Sequence, residues 1–292
     1  MAKIDDRISE QSALTDSDHS HILELLAEWQ LLSDLSFADL ILWIPKRKDY
    51  QTWPTGYIAM SHIRPTTAAT VFPNDEMGTE IGWGVNPRID QALKTGEIDR
   101  DTDPELKGDI WIKEEIVPVF HDGRVIAVIS RHRNAELMRS PSKLELNYRE
   151  IAHNLYRMIA EGNFPYPDAG SLFDPAPRVG DGLIRLDVNG VVSYASPNAR
   201  SAFSRLGWMS EVEGHILGEI AESLSRVRSD AHEETIAMGL TGKSLKRVEI
   251  ENQGGTIDFT VLPLLQAEDR IGAIVMLNNV TELRRREREL VS

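Results

Sequence analysis

The first residues in this sequence whose types and spacing could do chemistry are Glu150 and His153, in the run Glu150-Ile151-Ala152-His153-Asn154-Leu155. An exposed histidine on a helix beside a carboxylate can accept a phosphoryl group on a ring nitrogen while the acid assists the proton balance. The run leads, however, into residues 163–177, NFPYPDAGSLFDPAP, with four prolines. With no second bundle helix or nucleotide-binding segment downstream, His153 reads as a surface histidine, and no catalytic residue is assigned.

Metal and cofactor chemistry find little support. His19, His21, His62, His121 and His132 are scattered through the first half, and their spacing groups no three or four ligands, so no metal site is expected. The chain has no cysteine. That excludes disulfides, thiolate zinc sites, iron–sulfur clusters on cysteine, a thioether-linked bilin and a cysteinyl flavin adduct. His215 and His232, the imidazoles of the second half, read as surface or polar-contact residues rather than haem ligands. No cofactor is evident. Gly82-Trp83-Gly84 and Gly180-Asp181-Gly182 lack the preceding strand and following helix of a phosphate cradle and are expected to be turn glycines.

Composition bounds what holds these residues. A chain of 292 residues suggests two domains at about 150 residues each. Apolar residues at 41% and charged residues at 27% describe an ordinary globular protein. A net charge of −14 argues against direct nucleic-acid binding, which relies on cations that displace counterions. No apolar run approaches a bilayer span and the N-terminus lacks a secretory stretch, so the expected location is the cytoplasm, away from membranes.

Periodicity predicts the elements. Ile22, Leu25, Leu26, Trp29 and Leu32 share one face of a helix over 21–32. Leu40–Ile44 and Tyr57–Ile63 read as an antiparallel strand pair, Asn86-Pro87 as a helix start with Gly96 as its stop, and His121-Asp122-Gly123 as the turn of a long hairpin. A helix over 143–161 precedes the proline-rich stretch, which is the predicted linker. Beyond it, Asn189-Gly190 predicts a two-residue hairpin turn, Ser196-Pro197 a helix start, and residues 245–277 three strands. In both halves a Pro-marked strand, Val117-Pro118-Val119-Phe120 and Leu262-Pro263-Leu264-Leu265, precedes a second apolar strand. The prolines are expected where each sheet bends.

The segment 180–207, GDGLIRLDVNGVVSYASPNARSAFSRLG, resembles the opening of a PAS domain, and 260–289 resembles PAS strands running into an output helix. EWQLLSDLSFADLILWI at 28–44 and the 117–129 hairpin resemble a GAF domain. Together with RMIAEGNFP these segments resemble the PdtaS family of actinobacterial cytosolic sensor histidine kinases across nearly the whole chain. The resemblance implies an α+β fold of two domains, each an antiparallel sheet flanked by helices: a GAF-like domain over 1–162, a linker over 163–177, a PAS domain over 178–278 and the start of an output helix over 279–292. It implies a sensory input region whose parent autophosphorylates on histidine, works as a homodimer and passes the phosphoryl group to a response regulator with an RNA-binding output. The alternative is a stand-alone GAF/PAS small-molecule binding or dimerisation module without kinase linkage.

Two sets of residues are assigned roles. Any unidentified small ligand of the PAS half is expected near Phe203, Ile257, Phe259 and Val261, on the inward face of the sheet. Trp43, Trp83 and Trp111 are candidates for lining a GAF cavity, with core packing as the plainer role. Signal relay is assigned to Asn279, Thr281, Glu282, Leu283 and Leu290. PAS domains commonly carry Asp-X-Thr between the last strand and the output helix; here Asn279 stands in the Asp position. Asn279 and Glu282 keep the spacing of a capping box, in which the cap is worth about 0.5–2 kcal/mol. Val280, Leu283, Glu287 and Leu290 would form one heptad of a seam, too short to dimerise firmly by itself.

Overall fold

The helix predicted over 21–32 divides at Glu28. This buried residue takes φ −94° and ψ 6° and donates its N–H to Leu25 O and Leu26 O, closing one helix and opening the next. The turn lets Ile22 and Leu25 on one side of it and Leu31, Leu32 and Leu35 on the other all become buried, which one straight helix would not achieve. The computed structural model describes residues 2–100, 103–136, 140–167, 178–225, 240–244 and 246–291. These residues pack as two units, Met1–Pro167 and Asp168–Ser292. Among them no helix is long and apolar enough to cross a membrane.

The first unit opens with α1 (Ala2–Gln11), α2 (Asp16–Ala27) and α3 (Trp29–Ser36). Strands β1 (Asp39–Lys46), β2 (Gly56–Ile63), β3 (Glu80–Gly82), β4 (Glu105–Lys107), β5 (Ile110–His121) and β6 (Arg124–Asn134) form one antiparallel sheet in the order β3-β2-β1-β6-β5-β4. Asp122 (φ 46°) and Gly123 (φ 82°) both lie in the left-handed region, as the two-residue turn between β5 and β6 requires. Between β3 and β4, α4 (Pro87–Thr95) begins at Asn86, whose side chain accepts from Arg88 N, and stops at left-handed Gly96. Helix α5 (Lys143–Glu161) starts in a Ser142–Glu145 capping box and ends at Gly162. Asn163 N then bonds Met158 O at 2.8 Å and Phe164 is buried, so the first residues of the predicted linker are held in place. Residues 168–177 lie outside the described part.

The second unit contains β7 (Leu183–Leu186), β8 (Val192–Ala195), α6 (Pro197–Leu206), α7 (Leu217–Leu224), β9 (Lys246–Asn252), β10 (Gly255–Gln266), β11 (Asp269–Asn279) and α8 (Thr281–Val291), with strand order β8-β7-β11-β10-β9. The turn between β7 and β8 differs from the two-residue form read from Asn189-Gly190. The Asp187 carboxylate accepts from Asn189 N at 2.8 Å and Val191 N at 3.0 Å, and only Gly190 is left-handed. An Asx turn has displaced the tighter one.

Both marked prolines sit beside bulges. Pro118 opposes Val128 with a register shift between Val119 and Phe120, and Pro263 opposes Ala273 with a shift between Leu264 and Leu265. On the other side of β10 the pairing with β9 stops at Val261, so Pro263 falls where no outer strand needs its missing N–H.

Candidate functional site

The first unit carries a half-open cavity of about 500 Å3 over one face of its sheet. Its floor is Ile41 and Trp43 from β1 with Ser130 and His132 from β6, and its walls include Phe72, Ile81, Arg88, Ile89 and Glu114. Two connections form the roof, and buried aspartates hold both. Asp39, fully buried at the start of β1, accepts from Thr70 Oγ1 at 2.5 Å, Val71 N at 2.9 Å and His62 Nε2 at 3.2 Å. Asp34 at the end of α3 accepts from Thr66 N at 2.6 Å. His62 Nδ1 accepts from Glu76 N at 3.1 Å, which fixes its proton on Nε2. Asp90 of α4 accepts from Tyr57 Oη at 2.9 Å and Gly84 N at 2.8 Å, tying the 82–86 turn to the sheet. Phe72 is thereby held edge-on between the rings of His62 and His132, at 5.1 and 4.8 Å.

The cavity floor carries a polar chain. Trp43 Nε1 donates to Ser130 Oγ at 2.8 Å, and Ser130 Oγ lies 2.9 Å from His132 Nε2. On the other side of the ring His132 Nδ1 lies 3.5 Å from Glu114 Oε2. That distance and geometry make no hydrogen bond, and Nδ1 stands buried without a partner. Burial, assisted by Lys107, pushes the His132 pKa down to about 3, so the ring is neutral. Arg88 is held by Asp99 at 2.9 Å and Glu114 at 3.2 Å. Aromatic side chains, a buried imidazole and the paired Arg88 and Glu114 converge on this pocket, and its lining holds no nucleophile–base pair.

The tryptophan expectation divides. Trp43 lines the cavity; Trp83 packs on the same apolar cluster, stacked on Tyr57 at 6.2 Å; Trp111 is 44% exposed on a separate surface depression.

In the second unit Phe203, Ile257, Phe259 and Val261 are all buried in one core cluster, with the Phe203 and Phe259 rings 5.8 Å apart. The polar half of the alternation is covered as well: Thr256, Asp258 and Thr260 are at most 5% exposed. Arg247 from β9 pairs with Asp258, so the strand does not present this face to water as simple alternation suggests.

Of the residues assigned to signal relay, Asn279 and Thr281 meet at the junction of β11 and α8. Asn279 Oδ1 accepts from Thr281 N at 3.1 Å and Thr281 Oγ1 at 2.6 Å. Thr281 Oγ1 in turn accepts from Thr256 N at 2.9 Å. Arg284 N bonds Val280 O, which makes Val280 the cap residue and places Asn279 one position earlier than the capping-box reading had it. Glu282 pairs with Arg285 at 3.2 Å rather than reaching back. Val280 is buried, Leu283 is 44% exposed and Leu290 87% exposed, so the seam begins inside the domain and runs out into solvent. Two contacts lay outside the sequence reading: Arg284 bonds Glu249 and Arg288 bonds Glu251, both glutamates on β9, at 2.6 Å. Gly255, at φ 137°, leaves room there; a Cβ on it would sit 2.6 Å from Thr281 Oγ1.

His153 lies within 3.0 Å of Arg100 Nη1 through its Nε2. A guanidinium only donates, so the lone pair a phosphoacceptor needs is occupied, and burial with the Arg100 charge pushes the His153 pKa down to about 4.

A family model described as "Histidine kinase PdtaS, GAF domain" matches residues 4–152. The chain is 37% identical over 297 residues to the sensor histidine kinase PdtaS of Mycolicibacterium smegmatis and 36% identical over 306 residues to that of Mycobacterium tuberculosis. Each match covers 100% of this chain and 58% of the relative. A solved structure described as the sensor region of a sensor histidine kinase is 33% identical, with a TM-score of 0.80 over 96% of this chain and 98% of that one.

Proposed function

This chain belongs to the PdtaS family of sensor histidine kinases, and from that premise we propose that it is the cytoplasmic sensory input region of a longer kinase. The first unit's cavity receives a small molecule, the core around Phe203 and Phe259 carries the change, and α8 delivers it to a kinase core. The parent, a homodimer, phosphorylates itself on a histidine and then a response regulator with an RNA-binding output; this chain supplies control, not catalysis.

The observation that carries this reading is the double clasp of α8 on β9, Arg284 on Glu249 and Arg288 on Glu251. A helix leaving a sheet free of contacts could not sense it; one clasped to the edge strand must move with that strand. Asn279→Ala and Leu283→Glu in the full-length kinase should each change the autophosphorylation rate several-fold while leaving the melting curve of this region in place. Unaltered rates in both variants would remove the relay.

A further inference from the structure

The β5–β6 turn meets the first turn of α2, and the contact gathers groups separated by about a hundred residues in sequence. Ser17 Oγ lies 2.9 Å from His121 Nε2 and 3.1 Å from Asp122 Oδ2, and those two atoms lie 3.2 Å apart. Asp18 is fully buried beside them, and ligand atoms of Asp18, His121 and Asp122 all fall within 4.8 Å of one another. The His21 ring stacks on the His121 ring at 4.2 Å and 19°, fixing its plane.

Asp18 is satisfied on one oxygen only. Its Oδ2 accepts from Thr15 N at 2.9 Å, Tyr50 Oη at 2.7 Å and Arg124 Nη2 at 2.7 Å. Its Oδ1 is buried with no partner. A buried carboxylate oxygen without a protein donor is costly, and a hard or borderline cation would satisfy it.

We propose that Asp18, His121 and Asp122 form a site for a divalent cation of the zinc class. One imidazole and two carboxylates match the nitrogen and oxygen ligands such ions take, with water completing the shell. Two carboxylates also neutralise a doubly charged ion. Arg124 occupies Asp18 Oδ2, which leaves Oδ1 as the oxygen facing the ion and orients it from behind. Bound there, the cation cross-links α2 to the end of the two longest strands of the first unit.

The test uses this chain, stripped of metal with a chelator, and Zn2+ alone as the probe in calorimetric titration, with Co2+ absorption reporting ligand geometry. One saturable site is expected, with a Kd in the micromolar range. His121→Ala and Asp122→Ala should each weaken binding at least tenfold, and His215→Ala should leave it unchanged. Because both lie in the turn, folding is checked by the far-ultraviolet circular dichroism of each variant without metal. Absence of saturable binding to the unaltered chain, or binding that survives the His121→Ala/Asp122→Ala double variant, would overturn the site.

Discussion

Arg284 Nε and Nη2 both close on a single oxygen of Glu249, Oε2, at 2.8 and 2.6 Å, joining the first turn of α8 to the edge strand β9. Arg284 also reaches Glu287 at 2.7 Å, so one guanidinium serves the helix and the sheet together. With the two side chains 31% and 33% exposed, the pair should be worth about 0.5–1 kcal/mol, the range of exposed ion pairs with good geometry. Arg284→Ala and Glu249→Ala should each speed amide exchange along α8 by a few-fold, and the double variant should add nothing further. Additive effects would mean that the two residues act independently.

Asp39 is the keystone of the cavity roof. Asp39→Ala leaves the Val71 amide, the Thr70 hydroxyl and the His62 ring without their acceptor in a buried place, a loss of about 3 kcal/mol. Urea midpoints should fall accordingly, while acrylamide should quench Trp43 fluorescence more strongly once the roof loosens. Asp39→Asn keeps one acceptor oxygen and should fall between the two. An alanine variant with unchanged midpoint and quenching would mean that the roof is held by something else.

The sequence made some of this visible and hid the rest for physical reasons. Periods of two and of 3.6, with Asn86-Pro87, Gly96 and Ser196-Pro197, are local signals, and they located strands and helices in both units. Asp34, Asp39 and Asp90 were invisible as a group because the donors that tie them to the roof are mostly remote: Thr66 lies 32 residues from Asp34, His62, Thr70 and Val71 lie 23, 31 and 32 from Asp39, and Gly84 and Tyr57 lie 6 and 33 from Asp90; no local pattern marks a carboxylate as buried. The break at Glu28 was hidden because apolar spacing runs through it. The start of α8 was legible to within one position: Asn279 stands just before it, but its Asx turn with Thr281, and the clasp onto Glu249 and Glu251, depend on where β9 lies.

Glu28 carries a pH signature of its own. Burial raises its pKa to about 7 from an ordinary 4.5. The folded state therefore holds a proton that the unfolded state has released, so the stability this group contributes is complete below pH 4.5 and is lost as pH rises towards 7. Glu28→Gln, which cannot ionise, should leave stability nearly unchanged at pH 4.5 and raise it by about 2–4 kcal/mol at pH 8. Thermal melts at the two pH values measure this, and an equal effect at both would show that Glu28 does not carry the proton.

His132 should show the opposite sign. Its pKa is held near 3, below the ordinary 6.5, so the unfolded state takes up a proton that the folded state refuses, and stability drains away as pH falls below 6.5. One such group gives up to about 1.4 kcal/mol per pH unit. His132→Gln removes that titration, and its amide can still meet Ser130 Oγ. At pH 7.5 the variant should be the less stable protein, because it fills the cavity floor less well. Between pH 6.5 and 5 the gap should close by about 2 kcal/mol, since only the unaltered chain is penalised by protonation of its unfolded state. His21, whose pKa burial pushes down to about 4, contributes the same slope to both proteins and cancels in the difference. Denaturation midpoints of the pair across this window would decide the matter: parallel curves would place the His132 proton equally in both states and deny the cavity its neutral imidazole.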